Sequence, residues 1–195
     1  MPLDKSHSIT AENAAAWRHW LEENHAPSEG IWLIIYKMGS GVPSVYYPEA
    51  VDEALCFGWI DSLPNKRDED SYYQYFSPRN PKSNWSRVNK EKVARLDAAG
   101  KLAAAGLGMV ALAKATGTWT ALDAVENLEI PEDLQTAFDS IPQSQANFEG
   151  FPRSVKRSIL EWIMNAKRDD TRAKRVEETA TLAGKNERAN QWRKG

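Results

Sequence analysis

AVDEALCFGWIDS, Ala50 to Ser62, passes from helix to strand without an intervening loop. Val51, Ala54 and Leu55 form an inward helical stripe, Pro48 sits where proline is tolerated in a first turn, and Glu49 lies near the positive helix end. Gly58 supplies the stop. The run from Trp59 to Leu63 then reads as a strand, in which Trp59 and Asp61 share one face and Ile60 takes the other.

Upstream, IWLIIYK, Ile31 to Lys37, is apolar, β-branched and aromatic, too short for a buried helix, and reads as a central strand. Thr10 is placed to cap a helix running from Ala11 to about Asn24, with Ala14, Trp17 and Leu21 on one face and Pro27 and Gly30 at its end. Downstream, Tyr72 to Ser77 pairs antiparallel with Trp59 to Leu63 across the polar stretch PNKRDEDS. With Ile31 to Lys37 these segments make a three-stranded sheet. Ser86 caps a helix to about Ala99, Gly100 closes it, and Leu102 to Ala115 forms a small-residue helix suited to close packing. No strand signal follows, and Pro131, Pro142 and Pro152 each begin a helical stretch. The expected fold is α+β, a small antiparallel sheet packed with helices and followed by a C-terminal all-helical module. Its divisions are an N-terminal α+β domain over 1–116, a linker region over 117–130 and the helical module over 131–195.

Composition supports an ordinary globular protein: 42% hydrophobic and 27% charged in 195 residues, with a mean hydropathy of −0.60 and no long apolar stretch. MPLDKSHSITAEN has no apolar core of a secretory signal, and Cys56 stands alone, so a reducing cytoplasm is the expected compartment. Net charge is −2 overall, yet residues 151–195 carry +6 and the first 150 carry −8.

Two stretches hold the candidate site. Trp59 and Asp61 offer an aromatic wall and a carboxylate for a polar or cationic ligand; the structural reading makes Trp59 core and Asp61 a loop cap or arginine partner. FSPRNPKSNWSRVN, Phe76 to Asn89, has two prolines that extend the backbone. It thereby presents Arg79, Lys82, Ser83 and Asn84 before a helix N-terminus, an arrangement suited to a phosphate, sulfate or carboxylate, and Trp85 and Ser86 complete the expected ligand-binding set. The structural alternative has Ser83 or Ser86 as caps, Trp85 inward and Arg79 neutralising Asp61 or the acidic loop Asp68 to Asp70. Cys56 lies late in a helix, where the dipole disfavours a thiolate, so no catalytic residue is assigned. His19 and His25 lack ligand spacing, so neither metal nor cofactor is expected. Lys167, Arg168, Arg172, Lys174 and Arg175 cluster, but neighbouring carboxylates make paired surface helices a simpler reading than nucleic-acid binding.

The Trp17/Trp20 helix, GIWLIIYK, EAVDEALCFGWIDS, YFSPRNPKSNWSRVNKEK and the segment Pro152 to Leu182, with WIMNAKRDDTRAKRVEE, resemble the YdeI/OmpD-associated, or bacteriocin-protection, proteins. The resemblance implies a bacterial, stress-linked role associated with the envelope and with tolerance of bacteriocins or antimicrobial peptides. It implies no reaction and no catalytic residues, and it supports a distinct C-terminal helical module. The expected function is a non-enzymatic module binding a small anionic or polar ligand or a protein partner, without membrane insertion. The alternatives are an enzyme using Asp61 with Arg79, and nucleic-acid or protein binding through the basic C-terminal helices.

Overall fold

In the computed structural model, which describes residues 4–191, the chain forms two units, Met1–Ala121 and Leu122–Gly195, each with its own hydrophobic core. The first unit is α+β. Its strands are β1 (Ile9–Thr10), β2 (Ile31–Tyr36), β3 (Trp59–Lys66) and β4 (Ser71–Pro78), in the spatial order β1-β2-β4-β3. Its helices are α1 (Ala14–Asn24), α2 (Tyr47–Cys56), α3 (Arg87–Ala98) and α4 (Ala104–Thr116).

β2 is the central strand expected from its continuous apolar run: Trp32, Leu33, Ile34 and Ile35 are all buried, as befits a strand covered on both faces. It pairs antiparallel with β4, which pairs antiparallel with β3. The sheet has four strands rather than three because β1 pairs parallel with β2, Thr10 lying opposite Ile34. This also corrects the first helix cap. Thr10 is held in the sheet, and Asn13, in extended backbone, accepts from the Ala16 amide at 2.9 Å to start α1.

The helices pack through aromatic and small residues. Trp17 and Leu21 are fully buried; Trp17 stacks on Trp20 at 5.2 Å, leans on Phe76 at 5.3 Å and donates its indole N–H to the Ala50 carbonyl at 3.0 Å. Gly58 ends α2's turn at φ +72, a conformation that favours glycine. The small residues of α4 permit the expected close approach, because a Cβ at Gly106 would overlap the Cys56 carbonyl oxygen. Gly106→Ala is therefore expected to destabilise the protein by about 1–3 kcal/mol, measured by urea unfolding. Gly108→Ala, with open space around it, is the control and should be neutral or mildly stabilising.

Asp52 joins α2 to α3 through Lys92 Nζ at 2.7 Å and Arg95 Nη2 at 2.6 Å. Burial pushes its carboxyl upward, but those two cations outweigh it and hold the group below the ordinary value. A depressed folded-state pKa contributes stability above the unfolded value, near about pH 4. That contribution is lost as pH falls through the folded value. Lys92→Met should therefore cost about 1 kcal/mol at neutral pH, and the difference from the parent should shrink as pH is lowered below about 4, followed by denaturant unfolding at each pH.

The second unit contains α5 (Asp123–Glu126), α6 (Glu132–Asp139), α7 (Ser144–Gly150), α8 (Arg153–Met164) and α9 (Asp169–Gly184). Pro131 and Pro152 stand immediately before α6 and α8. Pro142 precedes α7 by one further residue, since Gln143, at φ 63, turns the chain first. Leu134, Phe138, Phe148, Ile159, Ile163 and Val176 centre the core. Arg172 clamps Asp133 of α6 with bonds of 2.7 and 3.0 Å.

Candidate functional site

The proline-framed turn after β4 places Arg79 where the sequence led us to look, but gives it unexpected neighbours. Its amide donates to the Gly58 carbonyl at 2.9 Å, continuing the β3–β4 pairing by one residue. Its guanidinium lies 4.0 Å from the centre of the Trp85 ring and donates to the Asn84 carbonyl. Arg79 is only 5% exposed, and its Nε–H has no hydrogen-bond partner among the described residues. No carboxylate among the described residues neutralises it, and desolvation pulls its pKa down to about 10.

The surrounding turn is built by Asn80. Its side-chain oxygen accepts from the Lys82 amide at 2.9 Å, and its carbonyl accepts from the Ser83 hydroxyl at 2.7 Å. Lys82 is exposed and Ser83 half-buried. Ser86 caps α3 by accepting from the Asn89 amide at 3.3 Å. Trp85, 1% exposed, is fixed by the hydrogen bond its backbone amide donates to the Thr118 carbonyl and by the Trp119 ring at 5.0 Å. Arg79, Trp85 and the start of α3 thus form one corner, with Lys82 and Ser83 on its rim.

Asp61 belongs to a different environment. It lies opposite Phe76 in the β3–β4 register, and its carboxylate accepts from the Tyr47 hydroxyl at 2.6 Å. Desolvation, then that carboxylate, pushes the Tyr47 hydroxyl up to about 12. The expected facing of Asp61 and Arg79 is corrected: no ion pair joins them, because Arg79 falls past the last strand residue, where it packs on Trp85. Trp59 likewise offers no wall to a ligand. It is 1% exposed, donates to the His25 carbonyl at 3.2 Å and meets Trp20 edge-on at 6.0 Å. Tyr47 takes the place beside Asp61 that was expected of Trp59. The sequence pattern missed it because a residue in the first turn of α2 reaches β3 only through tertiary packing. The same holds for Trp119 beside Trp85.

Cys56 is buried, and desolvation, followed by the Glu53 charge, pushes its thiol up. In the second unit, Arg168 pairs with Asp170 and Arg172 with Asp133, while Arg175 lies over the Trp162 ring at 4.9 Å. Much of the basic cluster is therefore engaged locally. Among the described residues, no group of three or more His, Cys, Asp or Glu is placed to hold a metal ion, and no helix is long and apolar enough to cross a membrane.

A four-stranded α+β unit with a cationic corner, and a helical unit with its own core, define the class of protein. The chain belongs to the family described as domain of unknown function DUF8412, whose model matches residues 9–109. Residues 127–186, within the helical unit, match the model described as Bacteriocin-protection, YdeI or OmpD-Associated. ALCFGWID, FSPR and SNWS fall within the first match, and the WIMNAKRDDTRAKRVEE segment within the second. No curated protein and no solved structure matches the chain.

Proposed function

We propose that the protein is a non-enzymatic binding module whose first unit takes a small anion, a phosphate, sulfate or carboxylate, at the corner formed by Arg79, Trp85 and the N-terminus of α3. The observation that carries this reading is Arg79 itself, a cation 5% exposed, with one N–H unpaired and no carboxylate partner among the described residues. Burying an arginine without a counter-charge costs several kcal/mol, which an anion would offset through charge-assisted hydrogen bonds. The positive end of α3 adds to the attraction. The bacteriocin-protection match of the second unit supports assigning this binding to a bacterial stress response.

The separation of Asp61 from Arg79 leaves a reaction shared between them without geometric support. Thermal unfolding in inorganic phosphate, sulfate and citrate at fixed ionic strength tests the reading. A saturable rise in melting temperature with one of them, absent with chloride, is expected. Indifference to all three overturns it.

A further inference from the structure

Tyr47, Pro64, Tyr72 and Gln74 line a recess of about 470 Å³ in the first unit, within the size range of small-ligand sites. Its position follows from the sheet. Tyr72, Gln74 and Phe76 alternate onto one face of β4, and Pro64 lies opposite Gln74 after the register shift between Asp61 and Pro64. Tyr47 comes from the start of α2 and donates its hydroxyl to Asp61 at 2.6 Å.

The chemistry of these groups is one-sided. Asp61 accepts that one hydrogen bond and has no lysine, arginine or histidine at ion-pair distance among the described residues. Lys66, opposite Tyr72 in the register, is taken by Glu69 at 3.2 Å. Gln74 is 1% exposed, and its side-chain nitrogen donates to the Ser62 carbonyl. That bond fixes the amide's orientation and leaves its oxygen as an acceptor. A phenol that donates to a carboxylate gains electron density, which strengthens its ring face as a partner for positive charge. The recess therefore combines two aromatic rings, a carboxylate hydrogen-bonded to one of them and an amide oxygen. It offers no charged donor.

We infer that this recess is a second binding site, distinct from the Arg79 corner, that takes a small alkylammonium ion, with the cation against Tyr47 and Tyr72 and its N–H groups toward Gln74 Oε1. Asp61 supplies the long-range attraction, and the apolar faces of Pro64 and the rings cover the alkyl chain.

The test uses the full chain with ¹³C-labelled tyrosine, titrated with n-butylammonium chloride and, separately, with neutral n-butanol, at constant chloride. Saturable shifts of the Tyr47 and Tyr72 ring signals with n-butylammonium are expected, and binding of n-butanol at least about 10-fold weaker. Asp61→Asn, which keeps an acceptor for the Tyr47 hydroxyl, should weaken n-butylammonium binding by about 10-fold while leaving n-butanol unchanged. No saturable shift, equal binding of the alcohol, or full binding by a folded Asp61→Asn protein overturns the inference. The comparison of ammonium with alcohol needs no variant, so a folding defect cannot obscure it. Anion binding at Arg79 is read with different ligands and stands or falls independently.

Discussion

Arg79→Met is expected to abolish the stabilisation by inorganic phosphate that the proposed anion site predicts, while leaving the ligand-free protein at least as stable. Two interactions favour the guanidinium where it lies: its bond to the Asn84 carbonyl and the Trp85 ring at 4.0 Å. The ring contributes about 2 kcal/mol when desolvated. Against them stands a desolvation cost of several kcal/mol per buried ion, with no carboxylate among the described residues to offset it and one N–H unpaired among them. Methionine fills similar space and its sulfur packs well against an aromatic ring. A guanidinium–phosphate contact contributes about 1.5–3 kcal/mol, so the variant should bind phosphate roughly 10- to 100-fold more weakly. Thermal unfolding across a phosphate series reads both effects, since a ligand that binds only the folded state stabilises it by RT ln(1 + L/Kd), where L is the free ligand concentration. A purely structural arginine would give the opposite pattern: a less stable variant and a parent indifferent to phosphate.

Arg18→Met should be the more damaging change, costing about 3 kcal/mol or more. Glu53 is 7% exposed, and Arg18 Nη1 meets its carboxylate at 2.8 Å. The same guanidinium donates to the Lys101 carbonyl at 3.1 Å and lies 5.2 Å from the Phe57 ring centre. Removing Arg18 leaves a buried carboxylate with only Lys101, at 4.0 Å. Exposed pairs contribute less than about 1 kcal/mol, so burial decides the magnitude. The double change Arg18→Met with Glu53→Leu should recover much of the loss, because the stranded charge is then gone. A single-variant loss below about 1 kcal/mol in urea unfolding would show that the pair behaves as a surface contact.

Much of the fold was legible because its signals are local. β2 declared itself by four consecutive buried apolar residues, and the passage from α2 through Gly58 into β3 by a stripe, a glycine and an alternation. β1 was not legible. Two residues, Ile9 and Thr10, carry no periodicity, and only the parallel register with Leu33 and Ile34 makes them a strand. That pairing removed Thr10 from the cap position and passed the role to Asn13.

The site was legible as a place rather than as a constellation. Prolines and the Ser86 cap located the turn containing Arg79, since both act on neighbouring backbone. The partner of Arg79 could not be read, because alternation governs side-chain direction only within a strand and Arg79 follows the last residue of β4. Asp61 found Tyr47, fourteen positions earlier, through the packing of α2 on the sheet. One expected cleft therefore resolves into two separate environments, a buried guanidinium on Trp85 and a carboxylate on Tyr47.

The uneven placement of tryptophan gives the two cores different optical visibility. Trp17, Trp20, Trp32, Trp59, Trp85 and Trp119 all lie in the first unit, whose boundary falls at Ala121. Among the described residues of the second unit the buried rings are Phe138, Phe148 and Phe151, which emit weakly, with Trp162 half-buried at its margin; Trp192 lies outside the described residues. Indole fluorescence therefore reports chiefly on the sheet-containing unit, whereas far-ultraviolet ellipticity reads helices in both. Whether the two signals melt together is a direct reading of how far one core depends on the other.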